Sequence, residues 1–136
     1  MSVLFIEYPK CSTCKKARKW LEDNNVAFEA RDIVMQNPTA DELKVWQERS
    51  GFPIRRFFNT SGMLYRELGL KQKLDAGMTD DEAYLLLASD GMLVKRPLLV
   101  VDGVSATPGF REIDWAEALI KVGAMRGPNT AIGTTR

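Results

Sequence analysis

The chain has 136 residues, 45% of them hydrophobic, which is the size and composition of a single domain with one core. Its 19 basic and 18 acidic residues give a net charge of +1, so composition provides no general attraction toward nucleic acid or an anionic membrane. The chain has no histidine, which excludes Cys-His and Ser-His catalysis, imidazole metal sites and a histidine pH switch.

The first predicted element is a strand over the apolar run Val3 to Ile6, followed after a short loop by Cys11 and Cys14. These two are the only cysteines of the chain, and the helical spacing of residues 15–21 puts them at the start of a helix. A CxxC pair that opens a helix directly after a strand is the pattern of a thioredoxin-like redox site.

Cys11 is predicted to be the nucleophile of this pair. A helix N-terminus favours a thiolate, and Lys10, Lys15 and Lys16 add positive charge nearby. We therefore expect the Cys11 thiol to be largely ionised near neutral pH. Cys14 shares a helical stripe with core-facing apolar positions, which suits a sheltered resolving cysteine.

The cysteine pair has two alternative interpretations. A structural zinc site takes four Cys or His ligands, so this chain allows only a metal shared between two subunits, and we expect no metal. Two inert cysteines in the core are the second alternative, but the lysine-rich loop at the head of the helix argues against it.

The middle of the chain changes from strand to helix. Residues 26–33 have β-branched and alternating character and predict a second strand, which completes a βαβ unit. Residues 36–88 are predicted to be mostly helical, with capping boxes that begin at Thr39 and Thr79.

A loop of breakers, aromatics and paired arginines lies between these helices, at residues 51–62. One interpretation is that the loop lines a site. The alternative is that Phe57 and Phe58 pack in the core while Arg55 and Arg56 are solvated.

The C-terminal part returns to the sheet. Residues 93–101 are predicted to carry the chain back into the sheet, with a strand that begins at Arg96-Pro97, and the Asp102-Gly103 turn predicts a hairpin with residues 104–107. Asp114 together with Glu117 is predicted to cap a last helix that Gly123 ends.

These elements predict one domain over residues 1–122 and a disordered tail at 123–136. The N-terminus lacks a basic region, and no stretch is long and apolar enough to span a bilayer, so we expect a cytoplasmic monomer with no membrane contact. In that reducing compartment a CxxC pair is a catalytic or sensing group more often than a permanent disulfide.

A further candidate is Arg96, which precedes Pro97 at the start of the predicted third strand. Arginine presents a planar fork of donors that suits an oxyanion or a thiolate, and an X-Pro bond can be cis. The alternative is an ordinary edge proline beside a surface arginine.

The cysteine pair and Arg96-Pro97 are features by which the sequence resembles the arsenate reductase-like (ArsC) family of the thioredoxin superfamily, which also contains the Spx transcriptional regulators. The resemblance covers about residues 3–120 and is carried by three segments, at 8–14, at 57–62 with 65–68, and at 88–98. It implies an α/β thioredoxin-like fold: a four-stranded mixed sheet flanked by helices, with a helical insertion at about 36–88. It also implies that Pro97 is cis, next to the redox cysteine.

Within this family, Cys11 and Arg96 match the attacking cysteine and an anion-binding arginine of the arsenate reductases. Asn59 stands where those enzymes carry an arginine, and Pro108 stands near the place of a third. Cys14 replaces a residue that is not cysteine in the glutathione-dependent enzymes. These departures point from anion reduction toward thiol exchange.

The leading hypothesis is a thiol-disulfide oxidoreductase in which Cys11 attacks, Cys14 resolves, and Arg96 stabilises the thiolate or an oxyanion. A small oxyanion or a disulfide is the expected substrate. The expected substrate-binding residues are Lys10, Ser12, Thr13, Asn59 and Pro97. No bound cofactor is expected, and glutathione, glutaredoxin or thioredoxin would reduce the enzyme again.

Two alternatives follow from the resemblance. One is a glutathione- or glutaredoxin-dependent arsenate reductase that needs Cys11 but not Cys14. The other is an Spx-like redox-sensing regulator that acts through RNA polymerase without binding nucleic acid directly. Spx proteins carry a CxxC pair at this place, but their C-terminal segment is long and charged, unlike residues 123–136.

Overall fold

The computed structural model describes residues 2–102 and 105–126. In this part of the chain the strands and helices are β1 (Val3–Glu7), α1 (Ser12–Asp23), β2 (Glu29–Asp32), α2 (Ala40–Ser50), α3 (Met63–Glu67), α4 (Leu70–Asp75), α5 (Asp80–Ser89), β3 (Leu98–Val101), β4 (Ser105–Pro108) and α6 (Glu112–Lys121). Short 3-10 helices lie at Ile54–Phe57 and Gly91–Leu93. None of the helices described here has the length and apolar character to cross a membrane.

The strands form one mixed sheet in the order β2-β1-β3-β4. β1 is parallel to β2, and α1 connects the two, because a parallel pair requires a crossover. β3 pairs antiparallel with both β1 and β4. The four-stranded mixed sheet with flanking helices that the resemblance implies is therefore confirmed.

Both faces of the sheet are covered by helices. Successive residues of β1 point to opposite faces and therefore belong to different buried clusters. Phe5 belongs to a buried cluster with residues of α1 and α6, including Cys14, Leu21 and Trp115. Ile6, the next residue, belongs to a second cluster with the middle helices, which includes Leu43, Trp46, Phe57, Phe58 and Leu87. The middle helices are thus the layer that covers one face.

The predicted capping boxes are both present. Thr39 accepts a hydrogen bond from the Glu42 N–H, and Thr79 accepts one from the Glu82 N–H, each at 3.1 Å. In each box the glutamate accepts a hydrogen bond from the backbone of its own threonine, so the first turn of the helix is closed from both sides.

In the loop between these helices, residues 51–62, the two adjacent phenylalanines pack in the core, as the second interpretation predicted. Phe57 and Phe58 are at most 1% exposed. Arg56 is exposed and lies over the Phe52 ring at 4.8 Å. Arg55 was predicted to be solvated, but its guanidinium donates a hydrogen bond to the Asp75 carboxylate at 2.8 Å.

The second strand is shorter than predicted, whereas the third begins at Leu98, directly after Pro97, as expected. Residues 26–28 do not pair, because the Val26 N–H donates to the Leu21 carbonyl at the end of α1 instead. Residues 93–97 precede β3, and of these Val94 forms an isolated bridge with Phe58.

The predicted cap of the last helix is wrong. Arg111 is the N-cap of α6, with no side-chain cap hydrogen bond, and Asp114 lies inside the first turn. The helix therefore begins one turn earlier than predicted, and the Trp115 indole N–H donates to the Gly109 carbonyl at 2.7 Å across this start. Gly123 follows the end of α6 in the left-handed region, with φ of +78°, as predicted.

Some predictions lie outside the described residues. Gly103 of the predicted turn, Val104 of the predicted fourth strand, and residues 127–136 of the predicted tail are among them. The domain boundary at residue 122 and the disordered tail stay predictions.

Candidate active site

Cys11 lies at the junction between β1 and α1. Its N–H donates to the Tyr8 carbonyl at 2.9 Å, which closes the turn that leaves the strand. Cys11 is the N-cap of α1, and its Sγ accepts the N–H of Cys14 at 3.3 Å. The sulfur therefore occupies the place of a capping oxygen, at the positive end of the helix dipole.

The surroundings of Cys11 favour its thiolate. Partial burial opposes ionisation, but hydrogen bonds from the Cys14 side chain and backbone, the positive charge of Arg96 and the Thr13 N–H outweigh it. The pKa of Cys11 is therefore lowered from its ordinary value. Arg96 is the cation that acts on the thiol. The lysines expected in this role, Lys10, Lys15 and Lys16, have exposed side chains.

Cys14 has the opposite character. It is fully buried on the same stripe of α1 as Ala17 and Leu21, as predicted. Burial raises the pKa of the Cys14 thiol to about 12, and its hydrogen bond to Cys11 together with the charge of Glu7 acts in the same direction. Both cysteines are free thiols, and their surroundings favour the thiolate at Cys11 and the protonated thiol at Cys14.

Arg96 approaches the site from the segment before β3. The Arg96–Pro97 peptide bond is cis, as the resemblance implies. The guanidinium lies 5.2 Å from the centre of the Tyr8 ring, which fixes its position. Its Nη1 atom is buried and has no hydrogen-bond partner among the described residues. Arg96 therefore has a donor to spare beside the Cys11 thiol.

Asn59 is brought to the same place by the bridge between Phe58 and Val94 and by its N–H, which donates to the Leu93 carbonyl at 2.8 Å. Its side-chain amide donates to the Met92 carbonyl at 3.4 Å. Asn59 and Arg96 line one pocket of about 480 Å³, which we call the Arg96 pocket.

The other predicted substrate-binding residues lie around the cysteines. Ser12 and Thr13 are exposed in the first turn of α1, where N–H groups have no backbone carbonyl to bond within the helix. Lys10 is exposed in the preceding turn, and Pro97 is buried. Within residues 2–102 and 105–126, no group of three or more Cys, Asp or Glu side chains is arranged to hold a metal ion.

Sequence reasoning missed several residues at this site. Tyr8 supports Arg96 through its ring, and Glu67 and Asp90 line the Arg96 pocket. All three lie in the segments that carried the family resemblance, and this is the sequence signal that could have placed them near the site. Their roles depend on side chains from separate segments that meet only in the fold.

The role of Arg96 is testable through the pH dependence of thiol alkylation. In Arg96→Gln, the loss of the positive charge should raise the pKa of Cys11, so the rise of the alkylation rate with pH moves to higher pH. Iodoacetamide labelling of the Cys14→Ser background, followed by mass spectrometry, isolates Cys11. Lys10→Gln removes one charge from an exposed side chain and should shift the profile less. Equal shifts in both variants would contradict the role of Arg96.

Comparisons with known proteins agree with this geometry. The sequence pattern of the ArsC family matches residues 6–118. Uncharacterized protein YusI of Bacillus subtilis is 52% identical over 117 residues, which cover 86% of this chain and 98% of YusI. The regulatory protein MgsR of B. subtilis is 30% identical over 96 residues, or 71% of this chain and 74% of MgsR. The global transcriptional regulator Spx of that organism is 25% identical over 104 residues, 76% of each chain.

Solved structures show the same architecture. An ArsC family related protein from Bacteroides fragilis superposes with a TM-score of 0.80 and 50% identity, covering 86% of this chain and 98% of its own. A possible arsenate reductase from Streptococcus mutans gives a TM-score of 0.76 and 48% identity, covering 83% and 96%. The site just described thus lies on a fold shared with arsenate reductase-like proteins.

Proposed function

The chain belongs to the ArsC family, and from that premise we propose that it is a thiol-disulfide oxidoreductase whose Cys11 attacks, Cys14 resolves and Arg96 stabilises anionic sulfur or a bound oxyanion. The observation that carries this proposal is the contrast between the two cysteines. Cys11 caps a helix beside Arg96 with a lowered pKa, and Cys14 is buried with a pKa raised to about 12.

The first half-reaction transfers a disulfide bond to the enzyme. The Cys11 thiolate attacks one sulfur of a disulfide substrate, a mixed disulfide forms, and the first thiolate leaves and takes a proton from water. Cys14 then loses its proton to water and attacks the Cys11 sulfur, which releases the second thiolate. Two electrons pass from the enzyme to the substrate, and the enzyme is left with a Cys11–Cys14 disulfide.

Glutathione, glutaredoxin or thioredoxin would reduce the enzyme again, in the cytoplasm. The substrate, a small disulfide or oxyanion, would be held at the helix start by the N–H groups of Ser12 and Thr13. Asn59 and Pro97 would border it on the other side, and Lys10 would lie at its rim. No bound cofactor enters this scheme.

Arsenate reduction by Cys11 is the second candidate, favoured by the similarity to a possible arsenate reductase. Asn59 in place of an arginine argues against it, because one guanidinium is then missing around a dianion. In this case, Cys14→Ser would leave turnover with arsenate and glutathione or glutaredoxin intact.

A redox-dependent regulator is the third candidate, favoured by the similarity to MgsR and Spx. Such a protein would bind RNA polymerase or another partner in one redox state and would reduce nothing. Pull-downs with the oxidised and the reduced protein distinguish this candidate, since a redox-dependent partner without disulfide turnover would favour it.

The proposed function is tested by trapping its intermediate. In Cys14→Ser, the attack of Cys11 proceeds but resolution fails, so a mixed disulfide should accumulate and turnover should fall on the order of 100-fold, because an intramolecular thiol is lost. Intact-mass spectrometry measures the adduct after incubation with bis(2-hydroxyethyl) disulfide. Glu117→Gln, at an exposed side chain of α6 outside the site, should turn over without accumulating it. Unimpaired turnover by Cys14→Ser would remove Cys14 from the mechanism.

A further inference from the structure

The Arg96 pocket has a volume of about 480 Å³, within the range of roughly 300–1,000 Å³ that small-molecule sites occupy. Gly62 helps to keep it open, because a Cβ atom there would lie 2.7 Å from the Asn59 side-chain nitrogen. The pocket shares Arg96 with the thiol site, since the same guanidinium acts on the Cys11 sulfur. A molecule bound in the pocket therefore lies beside the group that favours the thiolate.

The charges of the pocket are unequal. Arg96 supplies one positive charge, while Glu67 at the end of α3 and Asp90 after α5 supply two carboxylates. The exposed Glu67 side chain makes no hydrogen bond or ion pair within the described part of the chain. Asp90 accepts the Met92 N–H at 2.9 Å through Oδ1 and has no ion pair there either. The described lining of the pocket thus carries two negative charges and one positive charge, and neither carboxylate forms an ion pair with Arg96.

The remaining walls are adaptable and apolar. Met63 is 70% exposed although it is a large hydrophobic side chain, and Met92 is half-buried opposite Asn59. Methionine adjusts its shape at low cost and suits contact with a short alkyl or sulfur-containing chain. This combination favours a small molecule with a sulfur-bearing chain and a cationic end.

We propose that the Arg96 pocket selects low-molecular-weight disulfides that carry an ammonium group, with Glu67 and Asp90 facing the ammonium while Cys11 attacks the disulfide. This inference rests on the proposed thiol-disulfide exchange and names its substrate class. The same two carboxylates repel dianionic substrates such as arsenate, because like charges in a cleft disfavour binding.

Cystamine is the probe for this class. The Cys11 thiolate attacks one sulfur, the S–S bond of cystamine breaks, and 2-aminoethanethiolate leaves and takes a proton from water. Cys14 loses its proton to water and attacks Cys11, which releases the second 2-aminoethanethiolate and leaves the enzyme disulfide. One cystamine is reduced to two thiols by the two electrons of the cysteine pair, with no other reactant.

The experiment compares cystamine with the neutral bis(2-hydroxyethyl) disulfide and the dianionic 3,3′-dithiodipropionate. Stopped-flow measurements of the reduced enzyme give the second-order rate constant for each. In Glu67→Gln, the ratio of the cystamine to the neutral rate constant should fall about five-fold, as for one ion pair of about 1 kcal/mol in a partly exposed cleft. Asp90→Asn should lower the ratio similarly while it keeps an acceptor for the Met92 N–H.

Glu117→Gln is the matched control, since it removes an exposed carboxylate from α6, on the opposite face of the sheet. Its ratio should equal that of the wild-type protein. The comparison between variants cancels the intrinsic reactivity of each disulfide. Raised salt should lower the wild-type ratio, because screening weakens exposed charge pairs.

The outcomes separate the two proposals. If the wild-type protein reacts with all three disulfides and the ratio is unchanged in Glu67→Gln and Asp90→Asn, the selection for an ammonium group is wrong while thiol exchange stands. A wild-type preference for the dianion over cystamine overturns it equally. If no disulfide reacts, the proposed function itself fails.

Discussion

Cys11→Ser should abolish disulfide reduction, with a loss of about 1,000-fold or more in the second-order rate constant for each substrate. A serine hydroxyl stays protonated in this setting and is a poor nucleophile toward sulfur, whereas the Cys11 thiol has a lowered pKa. The same variant should lose any turnover of arsenate, because both candidate reactions begin at Cys11.

The fold is expected to tolerate the substitution of Cys11 by serine. Serine is a preferred N-cap residue, so its hydroxyl takes over the role of the Cys11 sulfur, which accepts the Cys14 N–H at 3.3 Å. The free energy of unfolding should therefore stay within about 0.5 kcal/mol of the wild-type value. Urea denaturation checks folding, and a stopped-flow assay with bis(2-hydroxyethyl) disulfide checks activity. Retained activity in a folded Cys11→Ser protein would show that another group attacks.

The largest effect on stability is expected for Trp115→Ala, at about 4 kcal/mol lost from the free energy of unfolding. Trp115 is fully buried and makes edge-to-face contacts with Phe5, Trp20 and Phe110. Its removal leaves a cavity and also leaves the Gly109 carbonyl without the indole N–H at 2.7 Å. Urea denaturation monitored by circular dichroism measures the change.

Two further variants separate packing from hydrogen bonding at this position. Trp115→Phe keeps most of the ring and loses the N–H, so it should cost about 1–2 kcal/mol. Ile113→Ala lies on the same helix at a side chain that is 62% exposed, and its effect should stay within about 0.5 kcal/mol. A loss in Trp115→Ala no larger than in Ile113→Ala would contradict the central place of Trp115 in this layer.

The same layer links stability to the redox site. Cys14 belongs to the buried cluster that contains Trp115 and Phe5, so the position of its thiol depends on how well this face of the sheet is packed. The high pKa of Cys14 has burial as its main cause. The core on this face therefore does more than stabilise the fold, because the burial that it provides favours the protonated form of the Cys14 thiol.

Local patterns gave accurate predictions for several features whose signal and cause lie within a few residues. The N-terminal position of Cys11, the stripe of Cys14 with Ala17 and Leu21, and the caps at Thr39 and Thr79 all depend on neighbours within one or two helical turns. The start of α6 shows the limit of this reasoning. Asp114 and Glu117 fit a capping pattern, but the helix begins one turn earlier, beside the contact between Trp115 and Gly109.

The candidate site was predicted in part. Cys11 and Cys14 followed from spacing, while Arg96 and Asn59 gained their importance from the family resemblance. The placement of Asn59 beside Arg96 required the bridge between Phe58 and Val94, which joins segments that are distant in the chain. Glu67 and Asp90 lie in segments that carried the family resemblance, but nothing in the sequence marked them as pocket residues, because exposed carboxylates are most often only solvated.

By itself, then, the sequence determined the order of the elements and the two unequal cysteines, since helix periodicity, capping and the CxxC spacing act over short range. Only the tertiary structure decided what surrounds Cys11. Arg96 approaches the Cys11 thiol from the segment before β3 and packs over the Tyr8 ring. The exposed lysines beside Cys11 in the sequence are not the main cation that acts on the thiol. Electrostatic effects add over groups that are close in space, and that proximity is a property of the folded sheet rather than of the order of residues.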